Sequence, residues 1–454
     1  RWNEAEGECD LMEGYCEKEK VLVIPSKDYG KSFREAFEET GLDEAVERIC
    51  KLLRDFRFPT EGDFLRAFAC VLTPAAMQGG LLGKERAPYF HLTKEEQGTG
   101  GGTFCQMMGR LCGQRPRSIS NLTQKEMDLA IGGWLMGSSD TIAYLDNITG
   151  DAIDKNANLA SFVTEESYNA RALYKQQFID VTGRMLMGNS NGAALGDDMI
   201  ARTVEICLHN RPDNYKYQDW NGEDGQEGLF NEISGNLPDY LGAIYRIFNE
   251  WHSDGCPKGK ISGFRFKKWE KVLAGIIDYV FPEAFLMEGM DRRRQCLKSA
   301  DQQMLRSLFK KVVEDEDSVG KQLAAACLAR IELGRDAEDD RVGNRAKSLG
   351  RVLRKLWPDE SEYQFDDLFG VKIEEDWAMS GNEKRYYRIT PLERSEEVSH
   401  GAEIIDGMLE RRRKSSSGGE VVPDCTGLAS VEEVAVKAAV SSKVDADLSF
   451  EIAE

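Results

Sequence analysis

The amino-acid sequence predicts an α/β fold with a parallel sheet, followed by a C-terminal helical region. Residues 87–93, APYFHLT, form a short apolar segment that is typical of a buried strand. A glycine-rich loop and a helical pattern follow directly, and a second strand-like segment, TIAYLDNI at 141–148, carries an acid near its end. This order is typical of parallel α/β domains. From about Asn236 the pattern changes to amphipathic helices.

Length and charge limit the classes of protein to which the chain can belong. A chain of 454 residues is long enough for two or three domains with their own cores. The formal net charge of −20 argues against a surface that coats nucleic acid throughout, but it leaves room for a local basic patch. No apolar run approaches the roughly 20 residues of a membrane span, and the first residues, RWNEAEGECD, contain no apolar signal segment. The missing initiator Met is compatible with a fragment or a processed form.

The cysteines and histidines give no metal-site signature. Eleven Cys are scattered without a Cys-x-x-Cys pair, and the four His are isolated from one another. Zinc sites need clustered ligands at short spacing. The sequence therefore predicts reduced thiols, most of them buried as small apolar side chains, in a cytoplasmic protein.

The expected helices and strands divide the chain into four regions. Residues 1–60 are charged and show apolar residues at helical spacing, so they form a predicted N-terminal helical linker. Residues 61–235 form the predicted α/β core. Its expected elements are, in order, a helix at 61–72 that Pro74 ends, the strand at 87–93, helices at 103–113 and 125–137, the strand at 141–148, a helix at 159–174, and strands at 178–189 and 201–208.

The two C-terminal regions are a predicted helical and winged-helix region at 236–395 and a disordered acidic tail at 396–454. Two amphipathic helices, NLPDYLGAIYRIFNEWH and WEKVLAGIIDYVF, come first. The expected elements of the smaller unit after them are helices near 301–314 and 321–333, a basic helix at 345–357 and a strand at 382–390. Helices followed by a short β-hairpin fit a winged helix-turn-helix. The tail contains RRRKSSSGG and few aromatic residues, a composition that favours disorder.

The glycine-rich stretch HLTKEEQGTGGGTF has the form of a phosphate-binding loop with one departure. Such a loop aims backbone N–H groups at phosphate oxygens, and it uses a Lys and a Ser or Thr for the terminal phosphates and magnesium. Gly98, Gly100 and Gly102 match the spacing of a Gly-Thr-Gly-Lys-Gly-Thr loop, and Thr103 can supply the hydroxyl. Gly101 stands where the pattern needs the lysine. A simple β–α connection is the alternative interpretation.

Asp146 adds a second feature in the order that a nucleotide site requires. It lies at the carboxyl end of an apolar strand, where a ligand to magnesium-bound water is needed. A turn residue at the end of a strand would be the interpretation of Asp146 taken alone. Together, the loop and Asp146 favour a nucleotide-binding fold.

In these motifs the chain resembles the replicative helicase-type ATPases of phages, plasmids and integrated elements. These P-loop ATPases are AAA+-like, related to superfamily 3 and often fused to an upstream primase. The resemblance runs from about Leu52 to about Thr390. The segments that carry it are GLLGKERAPYFHLTKEEQGTGGGTF, YLDNITGDAIDKNANLASFVTEESYNARAL, MGNSNGAALGDDMIARTVEICL, LGAIYRIFNEWHSDGCPKGKISGFRFKKWEKVLAGIIDYVFPEAFL and KSLGRVLRKL with KRYYRIT.

The resemblance implies ATP and Mg²⁺ as cofactors and a role for each motif residue. The loop residues would hold the phosphates: Gly98, Thr99, Gly100, Gly101, Gly102 and Thr103. Thr103 and Asp146 would hold magnesium, and Asn147 would help to position the attacking water. Asn189, with Asn191 as an alternative, would sense the γ-phosphate.

The resemblance also implies a homo-oligomeric ring acting on single-stranded or forked DNA. Arg202 is the expected arginine finger toward a neighbouring subunit, and Arg171 is a candidate for a related role; a surface salt bridge is the alternative for both. Three basic segments are expected to contact DNA: 264–271, 291–298 and 345–356, the last with Arg351, Arg354 and Lys355. A solvated helix face is the alternative for these charges.

Gly101 departs from the family pattern, which has Lys at that position. Lys94 and Lys84 are near in sequence, but neither is expected to have the geometry of the loop lysine. Loss of that charge should weaken ATP binding and hydrolysis. Three functions therefore stay open: a helicase or translocase, a catalytically inactive DNA-binding scaffold of the same family, and, less favoured, a small-molecule kinase.

Overall fold

The structure is a computed structural model, and it describes most of the chain up to residue 417. The described residues are 2–3, 8–9, 14–16, 21–23, 27–94, 98–114, 118–120, 123–148, 153, 156–172, 175–190, 195–211, 215–297, 300–334, 337–356, 362–365, 369–378, 384–392 and 401–417. Residues 1–412 belong to one compact unit. Of the second unit, 413–454, the structure describes only the helical residues 413–417.

Helices and strands alternate through the first half of the chain, and helices dominate the second half. The helices are α1 Lys27–Glu39, α2 Leu42–Leu53, α3 Glu61–Gln78, α4 Gly101–Leu111, α5 Gln124–Gly137, α6 Ala157–Thr164, α7 Gly196–Ile200, α8 Gly225–Gly235, α9 Leu237–Ser253, α10 Lys267–Val280, α11 Met290–Leu297, α12 Ala300–Glu314, α13 Ala325–Leu333, α14 Asp339–Leu356 and α15 Ala402–Ser417. The strands are β1 Trp2–Asn3, β2 Glu8–Cys9, β3 Gly14–Cys16, β4 Val21–Val23, β5 Tyr89–Lys94, β6 Ser118–Ser120, β7 Ile142–Ile148, β8 Ser167–Ala172, β9 Lys175–Asp180, β10 Met185–Ser190, β11 Thr203–Leu208, β12 Asp219–Trp220, β13 Glu223–Asp224, β14 Gln322–Ala324, β15 Glu362–Gln364, β16 Gly370–Ala378 and β17 Lys384–Pro391.

A five-stranded parallel sheet forms the centre of the fold. Its strand order is β11-β5-β10-β7-β6, so β5, the strand before the glycine loop, lies between β10 and β11. Every residue of β10 and β11 is buried, as expected for a parallel sheet that helices cover on both faces. The predicted α/β class with a parallel sheet is therefore confirmed.

Helix α3 continues through Pro74, so the prediction that this proline ends the helix is wrong. A proline inside a helix removes one N–H and crowds the preceding turn, at a cost of about 3 kcal/mol. Helix α3 is buried on all sides from Gly62 to Met77, and the Trp269 indole donates to the Thr73 hydroxyl at 3.0 Å. Tertiary packing thus outweighs the local cost.

The N-terminal region is only partly the helical linker that the sequence predicts. Helices α1 and α2 lie within this region, and the helical conformation is interrupted between them at Gly41, whose backbone is extended. Before α1 the backbone forms the antiparallel pairs β1–β2 and β3–β4 rather than a helix.

The segment between β7 and β10 also differs from the prediction of a single helix at 159–174. Helix α6 ends at Thr164, and β8 pairs antiparallel with β9 to form a hairpin. Tyr168 and Ala170 are buried, which is the period of two that marks a half-buried strand. Gly132 of α5 permits the close approach, because a Cβ there would lie 2.0 Å from the Arg171 carbonyl oxygen.

The predicted strand at 178–189 is in fact two strands. A turn separates β9 from β10, and Gly183 within it has a positive φ of 76°. Gly183 can adopt this left-handed conformation at little cost because it lacks a Cβ. The hairpin β8–β9 is therefore an insertion between the two sheet strands β7 and β10.

Residues 300–392 contain a second hydrophobic core. Helices α12, α13 and α14 pack with a four-stranded antiparallel sheet of order β14-β17-β16-β15. Leu308, Leu349 and Ile389 are buried in this core. The predicted helices and the predicted strand near 382–390 are present, and the structure adds the strands β14, β15 and β16.

The predicted disordered tail begins with a helix within the described residues. Helix α15 places Ile405 and Met408 in the main core, and Arg412 donates to the Val280 carbonyl at 2.8 Å. The composition of the whole tail concealed this short amphipathic segment. Residues 418–454 lie outside the described part of the chain.

The remaining predicted elements agree with the structure. They are β5, α4, α5, β7, β11, α9 and α10, each within a few residues of its expected position. Across the described ranges, no helix combines the length and apolar character that crossing a membrane requires.

Candidate functional site

The glycine loop lies at the carboxyl edge of the parallel sheet, between β5 and α4. Gly98 and Gly100 both have a φ of 93°, which only glycine adopts readily. Gly100 precedes the first turn of α4, and no side chain caps that turn. A helix N-terminus without a cap presents unsatisfied N–H groups and the positive end of its dipole. Together these features suit an anion.

A cavity of about 380 Å³ opens in front of this loop. We call it the loop-edge cavity. Its described lining residues are Asp55, Phe56, Lys94, Gly98, Gly100, Gly101, Gly102, Thr103, Gln106, Arg211, Tyr217, Gly225, Gln226 and Leu229. The loop forms one wall, and residues from the connections after α2 and β11 and from the start of α8 form the other.

The Lys94 side chain runs over Gly101. A Cβ on Gly101 would lie 2.8 Å from Lys94 Cδ, 3.3 Å from Cγ and 3.4 Å from Cε, so the lysine uses the space that glycine leaves open. Burial lowers the pKa of Lys94, and the negative charge of Asp146 acts in the opposite direction. A lysine therefore lies beside the position that lacks one in the sequence, contrary to the expectation from chain order alone.

Arg211 brings a second positive charge to the cavity, and sequence reasoning did not identify it. Its Nε and Nη2 donate to the Asp55 carbonyl oxygen at 2.9 and 2.7 Å. The guanidinium lies 5.2 Å from the Tyr217 ring centroid and 2.8 Å from where a Cβ on Gly100 would be. Its position three residues after β11 is the signal that could have indicated a place at the same sheet edge.

Asp146 and Asn189 meet at the carboxyl edge of the sheet, because β7 and β10 are neighbours. Asn189 Nδ2 donates to Asp146 Oδ1 at 3.0 Å, and the Tyr144 hydroxyl donates to the same oxygen at 2.7 Å. The Asn147 N–H donates to Asn189 Oδ1 at 2.9 Å, and the φ of Asn147 is 49°. Tyr144 also faces the loop, since a Cβ on Gly102 would lie 3.7 Å from its hydroxyl.

Buried side chains form a short hydrogen-bonded series on β5, the strand that precedes the glycine loop. The Tyr89 hydroxyl and His91 Nδ1 are 2.9 Å apart, and His91 Nε2 and Ser190 Oγ are 2.8 Å apart. Burial, with the nearby charge of Lys94, lowers the pKa of His91 to about 3, so its imidazole is neutral. The contact between His91 and Ser190 joins β5 to its neighbour β10 in the sheet.

The other predicted site residues have different positions. Thr99 is fully buried and does not line the cavity, and within the described residues its hydroxyl has no hydrogen-bond partner. Thr103 lines the cavity and donates to Gln226 Oε1 at 3.1 Å. Arg202 precedes β11 at the opposite edge of the sheet, where it is 8% exposed and bonded to Asp198. Asn191 lies outside the described residues.

The donor set around the loop fits a nucleotide with magnesium better than a metal held by protein alone. In the described ranges, no three or more His, Cys, Asp and Glu side chains are grouped so that they could hold a metal ion. Magnesium usually takes one or two protein oxygens, several waters and the substrate phosphates. Asp146 and the Thr103 hydroxyl are oxygen ligands of the required kind, and of the two only Thr103 is among the described residues that line the loop-edge cavity.

Comparison of the sequence with models of protein families and with curated proteins gives no match.

Proposed function

We propose that the chain binds ATP and Mg²⁺ in the loop-edge cavity and works as a ring-forming DNA helicase or translocase of a phage or mobile-element replication system. The observation that carries the proposal is the meeting of three features at one sheet edge. These are an uncapped helix after two left-handed glycines, the Asp146–Asn189 pair, and the cavity that contains Lys94. Ligands of open α/β sheets bind at the carboxyl ends of the strands.

Each group at the edge has a chemical role in this proposal. The N–H groups of the loop and of the first turn of α4 hold phosphate oxygens. Thr103 and Asp146 hold magnesium, directly or through water, and bound Mg²⁺ supplies charge that neutralises the β- and γ-phosphate oxygens. Asn189 orients the Asp146 carboxylate through its 3.0 Å hydrogen bond and would contact the terminal phosphate, while Asn147 would position water.

The hairpin β8–β9 supports a role on single-stranded DNA. Arg171 and Phe178 lie on the same exposed face of the hairpin, and Phe178 is 75% exposed. An exposed aromatic ring beside a cation is the combination that stacks on bases and attracts phosphates. In the chain, the hairpin lies between β7, which carries Asp146, and β10, which carries Asn189. This position gives Arg171 a DNA role in preference to that of an arginine finger.

The C-terminal helices supply a second surface for DNA. On α14, Arg341, Lys347 and Arg351 are exposed, opposite the buried Val342 and Leu349. A winged-helix domain would use such a face against phosphates. The side chains of Arg354 and Lys355 lie outside the described part of the structure.

The basic segment at 291–298 is a weaker candidate for DNA contact. Arg293 is buried and paired with Asp63, and Arg294 lies over the Phe264 ring. Both described arginines therefore face the protein interior. The arginine finger at Arg202, the ring and an upstream primase remain parts of the proposal that rest on the resemblance.

A catalytically inactive, DNA-binding scaffold of the same family is the second candidate. Two observations favour it: Gly101 has no charge, and Asp146 Oδ1 already accepts hydrogen bonds from Tyr144 and Asn189. In the scaffold, the fold and nucleotide binding would persist without turnover.

Steady-state ATP turnover by the full chain, with and without single-stranded DNA, separates the two candidates. For a motor we expect turnover that DNA stimulates, unwinding of a forked duplex, and loss of both in Asp146→Asn with ATP binding retained. Glu166→Gln is a matched control, because this exposed acid does not line the loop-edge cavity. ATP binding without turnover would identify the scaffold, and absence of nucleotide binding would overturn both candidates.

A further inference from the structure

We propose that Lys94 supplies, from the end of β5, the positive charge that a phosphate-binding loop usually takes from a lysine at the position of Gly101. This inference rests on the proposed nucleotide binding and names the residue that makes it possible. Under it, Gly101 is a requirement of the site rather than a defect.

Geometry is the first support. The Lys94 methylene groups pass within 2.8 to 3.4 Å of the point where a side chain at residue 101 would begin. Ordinary carbon–carbon contacts are about 3.5–4.0 Å, so a Cβ at residue 101 and Lys94 in this conformation exclude each other. The glycine therefore leaves room for Lys94 in this conformation, and a side chain at residue 101 would require the flexible Lys94 chain to shift.

The second support comes from the positions and hydrogen bonds of the other cationic side chains near the loop. Lys84 is 83% exposed and lies 4.0 Å from Glu166, away from the cavity. Arg211 lines the cavity but already donates two hydrogen bonds to the Asp55 carbonyl. Across the described residues, Lys94 has no hydrogen bond or ion pair of its own. Its ammonium is thus the cavity cation with all three donors left for a ligand.

The electrostatic environment agrees with this assignment. Lys94 is partly buried, which disfavours its charge, and the Asp146 carboxylate opposes that effect. A bound triphosphate would add negative charge beside the ammonium and raise its pKa again. Nucleotide binding should therefore weaken at alkaline pH as Lys94 loses its proton, and a variant without this lysine should not show that dependence on it.

The test compares the affinities of ATP, ADP and AMP for the full chain by calorimetry, in the unmodified protein and in Lys94→Met. We expect Lys94→Met to bind ATP about 10- to 100-fold more weakly, the range of one charge-assisted hydrogen bond, with a smaller loss for AMP. Lys84→Met is the matched control and should bind ATP as the unmodified protein does. Lys94→Arg keeps the charge and should retain part of the affinity.

The outcomes separate this inference from the proposed function. If the unmodified protein binds ATP and folded Lys94→Met binds it equally well, the role of Lys94 is overturned while nucleotide binding stands. If the unmodified protein binds no nucleotide, the proposed function itself fails. Should Lys94→Met not fold, the pH profile of the unmodified protein decides: affinity that is constant from neutral pH to beyond the pKa of a free lysine overturns the inference.

Discussion

Moving the lysine from one position to the other is the sharpest test of how this loop works. The sequence alone suggests that Gly101→Lys would restore a standard phosphate-binding loop and strengthen ATP binding. The structure predicts the opposite for this single change. The new Cβ would lie 2.8 Å from Lys94 Cδ, so Lys94 must move by about 1 Å to reach an ordinary contact distance.

The electrostatic cost of the single change is comparable with what a second lysine could contribute. Two ammonium groups about 5 Å apart repel by about 3 kcal/mol at an effective dielectric constant of about 20. One charge-assisted hydrogen bond to a phosphate contributes about 1.5–3 kcal/mol. We therefore expect Gly101→Lys to bind ATP no more tightly than the unmodified protein, and up to about 10-fold more weakly.

The double variant, Lys94→Met with Gly101→Lys, removes this conflict. It places one lysine at the usual loop position, and it should bind ATP more tightly than Lys94→Met alone. Calorimetry on the four proteins of the cycle gives the coupling free energy between the two positions, and we expect at least 1 kcal/mol. Thermal unfolding without nucleotide checks that each variant folds. Tighter binding by Gly101→Lys alone, by 10-fold or more, would refute the reasoning.

Three further predictions concern stability and DNA contact. Asp63→Asn should lower the free energy of unfolding at pH 7 by about 3–5 kcal/mol, because it leaves buried Arg293 without its carboxylate partner. Urea unfolding measures this free energy, and a loss below about 1 kcal/mol would contradict the prediction. Because the pKa of His91 falls to about 3 on folding, the stability that this residue contributes is present above its unfolded value near 6.5 and decreases as the pH falls, by up to about 1.4 kcal/mol per unit. Unfolding from pH 7 to 5 should therefore be less pH-dependent in His91→Gln, and equal slopes would exclude this role. Phe178→Ala should weaken binding of labelled single-stranded DNA by about 10-fold, whereas Ile261→Ala, an apolar control that is also exposed, should not. Equal effects of the two substitutions would argue against stacking.

The order of elements along the chain was sufficient to predict the sheet and part of the site. Parallel strands bring their carboxyl ends to one edge, so Asp146 and Asn189 were expected near the loop after β5. In the structure, Asn189 Nδ2 donates a hydrogen bond to Asp146 Oδ1 at 3.0 Å. This proximity depends only on strand direction and neighbourhood, which apolar periodicity indicates, whereas the chemical roles of the two residues stay predictions.

Lys94 could not be assigned from its place in the chain, because its role depends on where a flexible side chain turns. A residue at the end of a strand can point away from the loop that follows or fold back over it. The missing side chain at Gly101 creates the space that favours the second arrangement. Arg211 and Tyr217 were missed for a related reason, since they enter the cavity from a connection with no periodic pattern.

The hairpin and helix α3 show the converse error, in which local propensity was given too much weight. Residues 167–172 were assigned to a helix together with the segment before them, but Gly132 gives an extended backbone a surface to pack on. Pro74 would end a solvent-exposed helix, but α3 is buried throughout. In both places a distant contact decides the conformation.

Under the proposed function, the pairing of Lys94 with Gly101 would give the loop a positive charge without a lysine at residue 101. A lysine on α4 would move with the helix, whereas Lys94 is attached to β5, which bonds to β10 and β11 on either side. The buried chain through His91 holds the same strand from below. The phosphate-binding charge would then be fixed to the sheet that also carries Asp146 and Asn189. Lys94, Asp146 and Asn189 would then act from one sheet, whereas Thr103 and the N–H groups of the first helical turn would act from α4.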